Sequence, residues 1–281
     1  MPGETPLATL LRCLELEALD RDLYLGDPGP GEGRLFGGMV AAQSVMAGYR
    51  TVEAGRPIHS LHAYFLRPGR HDVPLRFVVD RIRDGKSFAT RRVAAYQGGE
   101  AIFSLQASFA APEEGISHQE AMPEAPDPDT LPDWETVRSD RFPKQPVPQL
   151  HREIAEVRLC EPWDPEVLTE PRQRCWTRVR GKLPDEPPLH SALLVYLTDR
   201  MLLSTAARAH GSPWGRGMAA SLDHAVWFHR PVQLDEDWLL YASESPAAHA
   251  ARAIIFGGLY RRDGERLASV AQEALIRLPR S

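Results

Sequence analysis

Two side chains in the C-terminal half of this 281-residue sequence interrupt apolar patterns, and both are of types that do chemistry. Along Arg266–Leu278 the even-numbered face reads Ala268, Val270, Gln272, Ala274, Ile276, Leu278, with Gln272 its sole polar member. An amide on such a face must find hydrogen-bond partners or cost about 1–3 kcal/mol. It is therefore either a satisfied core amide or the holder of a water or ligand. Asp199 has Val195, Leu202 and Leu203 as its helical neighbours at i−4, i+3 and i+4. A carboxylate there is tuned for catalytic work, or else caps a helix restarting at Arg200 or pairs with an arginine. Ser221 begins a strand after a glycine-rich approach, and with Asp223 and His224 it suggests a nucleophilic triad. Adjacent strand residues face opposite ways, so Asp223 cannot readily orient His224, and the chain has no Gly-x-Ser-x-Gly elbow. The triad is rejected.

The elements that must position these groups come in two similar sets. His62-Ala63-Tyr64-Phe65-Leu66-Arg67-Pro68 matches His224-Ala225-Val226-Trp227-Phe228-His229-Arg230-Pro231 with one residue inserted. Gly98–Leu105 matches Asp263–Val270, in the same order, which marks an internal duplication. Ala107 stands where the second copy has Gln272. Each half reads as a helix followed by antiparallel strands. In the first, Phe36–Val52 is helical and strands run near 73–80, 87–97 and 101–109. In the second, Ser191–Arg208 reads as one long helix, with strands at 219–229, 238–245, 250–261 and 266–278. Eight prolines between Ala111 and Leu150 predict a linker running over the surface. The expected division is a first unit at 1–110, a proline-rich linker at 111–150 and a second unit at 151–281.

Composition narrows the function. The 33 basic and 38 acidic side chains leave a net charge of −5, which excludes a generally basic nucleic-acid binder. Cys13, Cys160 and Cys175 are scattered and lack metal-ligand spacing, so no disulfide scaffold or zinc site is expected. His59 and His62 diverge on a strand and form no metal site. With no signal-like start in Met1–Asp20 and no apolar run of membrane length, a cytoplasmic protein is expected. The stretch Gly26–Gly38 lacks the lysine of a phosphate loop but leads into a helix whose amides can face an anion or a carbonyl oxygen. Arg67, Arg91, Arg92 and Arg230 are candidates for phosphate contacts or for solvated strand faces.

Several ordered strings then carry a family resemblance: Leu35-Phe36-Gly37-Gly38, His59–Gly69, Arg83–Val93, Ser221–Pro231 and Ala271-Gln272-Glu273. Over nearly its whole length the chain resembles the acyl-CoA thioesterase II family of double hot-dog thioesterases. The resemblance implies an α+β fold of two repeats, each an antiparallel sheet wrapped around a central helix. It implies hydrolysis of fatty acyl-CoA to free acid and CoA by an oriented water, with no metal or other cofactor, in a homo-oligomer without a membrane span. The family's catalytic aspartate, hydroxyl residue and glutamine fall on Asp199, Ser221 and Gln272. Many relatives have threonine where Ser221 stands; serine keeps the hydroxyl. The amides at Gly37 and Gly38 are candidates for binding the oxyanion. Met39 stands where relatives often have glutamine and would make the substrate pocket more apolar. The alternatives are a hot-dog enoyl-CoA hydratase and a non-catalytic acyl-CoA or acyl-carrier binding module. The hydratase reading wants a histidine at helical reach after Asp199, and none occurs before His210.

Overall fold

The computed structural model describes residues 4–141, 153–164, 167–211, 217–234 and 237–278. The chain opens with helix α1 (Pro6–Leu14), strands β1 (Glu17–Asp20) and β2 (Leu23–Gly26), and helix α2 (Gly37–Tyr49). Strands β3 (Ile58–Phe65), β4 (Leu75–Asp84), β5 (Phe88–Gln97) and β6 (Glu100–Ala110) complete the first half. Helix α3 (Trp134–Arg141) follows, then β7 (Ala155–Leu159), β8 (Arg172–Val179), and helices α4 (Pro187–Thr198) and α5 (Leu202–Ala207). Strands β9 (Met218–Ser221), β10 (Asp223–Phe228), β11 (Leu239–His249), β12 (Arg252–Arg261) and β13 (Arg266–Arg277) end the described chain.

The strands make one sheet in the order β1-β2-β4-β5-β6-β3-β10-β13-β12-β11-β8-β7, with β9 also paired to β13. The order is the same read inward from either end, as a duplicated chain requires. β3 and β10 meet antiparallel at the centre, Asp223 opposite Tyr64 and Trp227 opposite Ser60. The inward faces follow the two-residue period: Leu75, Phe77 and Val79 on β4, and Phe103, Leu105, Ala107 and Phe109 on β6, are buried. Helices α2 and α4 are apolar almost all round and are buried accordingly. They lie antiparallel. Gly38 near the start of α2 meets Tyr196 near the end of α4, while the Tyr49 hydroxyl is 3.1 Å from Ser191 Oγ at the other ends. Small residues make the approach possible: a Cβ on Gly38 would lie 2.9 Å from the Tyr196 carbonyl oxygen.

Two of the differences from the sequence expectation shape the site. The helix expected over 191–208 is interrupted, α4 ending at Thr198 and α5 starting at Leu202. In an unbroken helix the Thr198 carbonyl would accept from the residue 202 amide; here it accepts from the Tyr241 hydroxyl at 3.2 Å. The strand expected over 219–229 divides at Leu222. Ser221 pairs with Ala274 but Ala225 pairs with Ala271, so the register on β13 advances by one residue between them, as at a β-bulge.

The proline-rich segment crosses the outer face of the second half. Trp176 Nε1 donates to the Pro126 carbonyl at 2.8 Å, and the Gln119 amide to the Gly264 carbonyl at 2.8 Å. It covers a small second core of Trp176, Trp238, Leu240 and Tyr260. It also holds α3, which the proline count did not predict. Glu135 on α3 forms a buried ion pair with Arg200 at 2.9 Å, one residue from Asp199. The remainder of the segment, 142–150, lies outside the described residues. No described helix is long and apolar enough to cross a membrane.

Candidate active site

Asp199 occupies the C-cap of α4, where the chain turns towards α5. That position aims its carboxylate at the N-terminus of α2. The Gly38 amide hydrogen-bonds it, and a Cβ on Gly37 would lie 2.9 Å from Asp199 Oδ2. The residue is 7% exposed. Burial is the leading influence on its acidity and pushes the carboxyl from its usual 3.8 up to about 7, while bonds from Ser221 and Gly38 act in the opposite sense. A carboxylate so raised takes up and releases protons in the range a general base needs.

Ser221, the last residue of β9, donates from Oγ to Asp199 Oδ1 at 3.2 Å. Gln272 on β13 donates from Nε2 to Ser221 Oγ at 2.8 Å. The structure thus brings all three sequence-selected polar groups together, from the end of a helix, the end of a strand and the middle of another. Gln272 is fully buried on the inward face, as its even-numbered position predicts. Its second amide atom, Oε1, lies 2.6 Å from His224 Nδ1. His224 in turn places Nε2 2.8 Å from Thr198 Oγ1.

His224 and Thr198 are the members that the sequence reasoning missed. The available signal was the inward face of β10, where His224 precedes Val226 and Phe228 as the one polar residue. Asp223 points elsewhere and accepts from the Glu273 amide at 2.6 Å, so the rejected triad is absent from the geometry. His224 is 1% exposed, and this burial outweighs the bond to Gln272, pushing the ring down to about 4 and keeping it neutral.

The remaining candidates fall as follows. Gly37 and Gly38 open α2. Gly38 spends its amide on Asp199, whereas Gly37, at the first helical position, has no intrahelical acceptor for its own. Met39 is buried in the main core. Each of the four candidate arginines has an acidic partner: Arg67 with Glu100, Arg91 with Asp84, Arg92 with Asp80, and Arg230 with Glu265. Arg91 is also wholly buried against Thr51. His59 bonds Ser108 while His62 stacks edge-on against Trp227. Among the described residues no three His, Cys, Asp or Glu side chains are grouped to hold a metal. A cleft of about 1240 Å³ opens beside Gln173, Ser204, Arg208 and Tyr260, and none of the trio lines it.

An antiparallel sheet curved about one buried helix, repeated once along the chain, is the double hot-dog arrangement, and solved hot-dog thioesterases superpose on it. A crystal structure described as the acyl-CoA thioesterase II TesB2 of Mycobacterium marinum aligns with TM-score 0.78 and 40% identity, covering 96% of this chain and 97% of that one. Residues 26–110 match the family described as acyl-CoA thioesterase N-terminal domain, and residues 160–275 the family described as acyl-CoA thioesterase. Acyl-coenzyme A thioesterase 8 of Mus musculus is 37% identical over 300 residues, covering 99% of this chain and 92% of that protein. Acyl-CoA thioesterase 2 of Haemophilus influenzae is 33% identical, covering 96% and 98%. The chain belongs to the acyl-CoA thioesterase II family and is an acyl-CoA thioester hydrolase.

Proposed function

We propose that Asp199, Ser221 and Gln272 carry out the hydrolysis by activating a water directly. A thioester carbonyl is electrophilic and a thiolate leaves readily, so an oriented water suffices as nucleophile. In this reading Asp199 takes a proton from that water, and Ser221 and Gln272 hold its oxygen beside the carbonyl carbon. As the C–O bond forms, the carbonyl oxygen becomes an oxyanion facing the Gly37 amide at the positive end of α2. The C–S bond then breaks, and the proton held by Asp199 passes to the CoA sulfur, which restores the carboxylate. General-base assistance of this kind contributes about 10²–10⁴-fold.

The observation that carries the reading is the hydrogen-bonded sequence Gln272–Ser221–Asp199 ending at the α2 N-terminus. The substrate is a fatty acyl-CoA, a reading supported by the similarity to acyl-CoA thioesterases. The units are 1–110 and 151–281, joined by 111–150, and the chain works in the cytoplasm as a homo-oligomer. Its three cysteines are free, which suits a reducing compartment. The test of mechanism mixes enzyme with excess acyl-CoA, follows free CoA with a thiol reagent and examines quenched protein by mass spectrometry. Equal release of acid and CoA, with no burst and no acylated Ser221 or Asp199, is expected. An accumulating acyl-enzyme refutes direct water attack. Sedimentation equilibrium checks the assembly, and a monomer there refutes the homo-oligomer.

A further inference from the structure

The bonds around His224 fix a direction that the trio alone leaves open. Gln272 offers a carbonyl oxygen on one side of its amide and an NH₂ group on the other, and the two orientations do opposite things to Ser221. With NH₂ towards Ser221, the hydroxyl accepts from Gln272 and is free to donate to Asp199, as the distances of 2.8 and 3.2 Å describe. With the amide reversed, the Ser221 proton is drawn to the Gln272 oxygen. The ionised Asp199, at 7% exposure, would then keep the Gly38 amide and lose its hydroxyl donor. Leaving a buried carboxylate short of a donor is costly.

The contact between Gln272 Oε1 and His224 Nδ1, at 2.6 Å, needs a proton on the ring nitrogen in the first orientation. The ring is neutral, so Nε2 must then be bare and must accept. Thr198 Oγ1, 2.8 Å away, can supply that proton. Thr198 Oγ1 also lies 2.9 Å from the Val195 carbonyl, the alternative recipient of its proton. If the hydroxyl proton went there, Nε2–H would donate to Thr198 and the bare Nδ1 would demand the reversed amide. Thr198 and His224 therefore select between two complete and mutually exclusive bond patterns.

We propose that His224 and Thr198 are positioning residues: Thr198 donates to His224 Nε2, His224 Nδ1–H donates to Gln272 Oε1, and the Gln272 NH₂ is thereby held towards Ser221 and the hydrolytic water. The proposal rests on the reading of Asp199, Ser221 and Gln272 as the catalytic groups and deepens it. Every donor then points one way, Thr198 to His224 to Gln272 to Ser221 to Asp199, so that the arrangement ends on the base. Its geometry comes from the fold. Continuing the Ala225–Ala271 register sets His224 directly across from Gln272. The register change at Leu222 lets Ser221, three residues away, reach the same site. In the first half the matching histidine, His62, lies one register step away and faces outward, exposed.

The test has a spectroscopic and a kinetic arm. Protein labelled with ¹⁵N-histidine gives the protonation of each ring nitrogen, and His224→Asn identifies the His224 signals by their loss. The expected spectrum has the His224 proton on Nδ1 and a bare Nε2; a proton on Nε2 overturns the proposal. In the kinetic arm Thr198→Val and His224→Leu lower kcat about tenfold to a hundredfold with KM little changed, since they misdirect a bound water. Thr198→Ser, which restores a hydroxyl, and His224→Asn, which keeps a donor near Nδ1, recover most of the loss. A Thr198→Val enzyme with undiminished kcat overturns the proposal as well. A fully active Asp199→Asn enzyme would instead remove the reading of the trio, with the ring-proton measurement standing apart from it.

Discussion

Replacing Asp199 with asparagine should make the protein more stable while destroying its activity, and the gain should depend on pH in a defined way. Burial raises the Asp199 carboxyl from 3.8 to about 7. Below about pH 4 folded and unfolded chains both carry the proton, so Asp199 is neutral towards folding. Between about pH 4 and 7 the unfolded chain has released it and the folded protein still holds it, so stability falls as pH rises. Above about pH 7 the loss is complete, at roughly 4 kcal/mol, since each pH unit across that window costs about 1.4 kcal/mol. The Asp199→Asn protein avoids this loss, because an amide fills the same space without the charge. Its advantage over the wild type should therefore widen by roughly 3 kcal/mol between about pH 5 and pH 8.

Urea unfolding of both proteins at the two pH values measures that difference directly, since all other titrating groups are shared. A gap that stays constant with pH, or an Asp199→Asn protein that is the less stable at the higher value, refutes the burial argument and the general-base role built on it. Acyl-CoA turnover supplies the second half of the prediction. The variant should lose at least about a hundredfold in kcat/KM. For the wild type kcat/KM should rise with pH and level off above about 7, where Asp199 is ionised.

Four further outcomes are expected. Ser221→Ala removes the bond that holds Asp199 down, so the kinetic pKa should move upward and turnover fall about tenfold or more, whereas Ser221→Thr keeps both near wild type; a pH–rate profile of each decides it. Gly37→Ala should fold but lose most activity, because its Cβ would lie 2.5 Å from the Phe65 ring and 2.9 Å from Asp199; unimpaired turnover would show that the α2 N-terminus does not bound the site. Glu135→Gln strands Arg200 as a buried cation and should destabilise the fold by about 3–5 kcal/mol in urea titration, an effect absent if the linker is a passive tether. Burial pushes the Cys13 and Cys160 thiols up to about 12, so folded protein should react slowly with the thiol reagent used to detect CoA; rapid labelling at these cysteines would contradict the packing around them.

The parts of the site legible in the sequence are those where a polar residue stands alone in a regular apolar pattern. Gln272 is visible because β13 is long and its inward face alternates cleanly, and Asp199 because its helical neighbours are apolar. Strands β4, β5, β6, β12 and β13 are legible for the same reason. What stays hidden depends on contacts between distant segments. The break after Thr198 follows from Tyr241 on β11 taking a helix carbonyl, which no local pattern records. The Leu222 irregularity follows from two strands meeting β13 in different registers. Strand β8 escapes a sequence reading because the linker covers Trp176 on one face while Cys175 and Thr177 are buried on the other, which blurs the two-residue period. His224 invites comparison with its neighbour Asp223, whereas its partner lies across the sheet.

Duplication would be expected to give two sites, one at each end of the antiparallel α2–α4 pair, but among the described residues the groups proposed for catalysis gather at one end. At the first end Gly37 and Gly38 open α2 with amides that no helical carbonyl accepts, and Asp199 caps α4. At the opposite end Pro187 and Pro188 open α4, and proline has no amide proton to give a carboxylate or an oxyanion. The residue capping α2 there is Arg50 in place of an acid. The inward cross-strand pair of the first half is Leu61 and Ala107, where the second half has His224 and Gln272. The space near that end is taken by the buried Arg91, bonded to Thr51 through both its hydroxyl and its carbonyl. In the proposed mechanism each half thus supplies one half-site: the first the helix N-terminus that receives negative charge, and the second the acid, hydroxyl and amide. A substitution that separates α2 from α4 should accordingly abolish catalysis even if both sheets remain intact, because neither half holds a complete set.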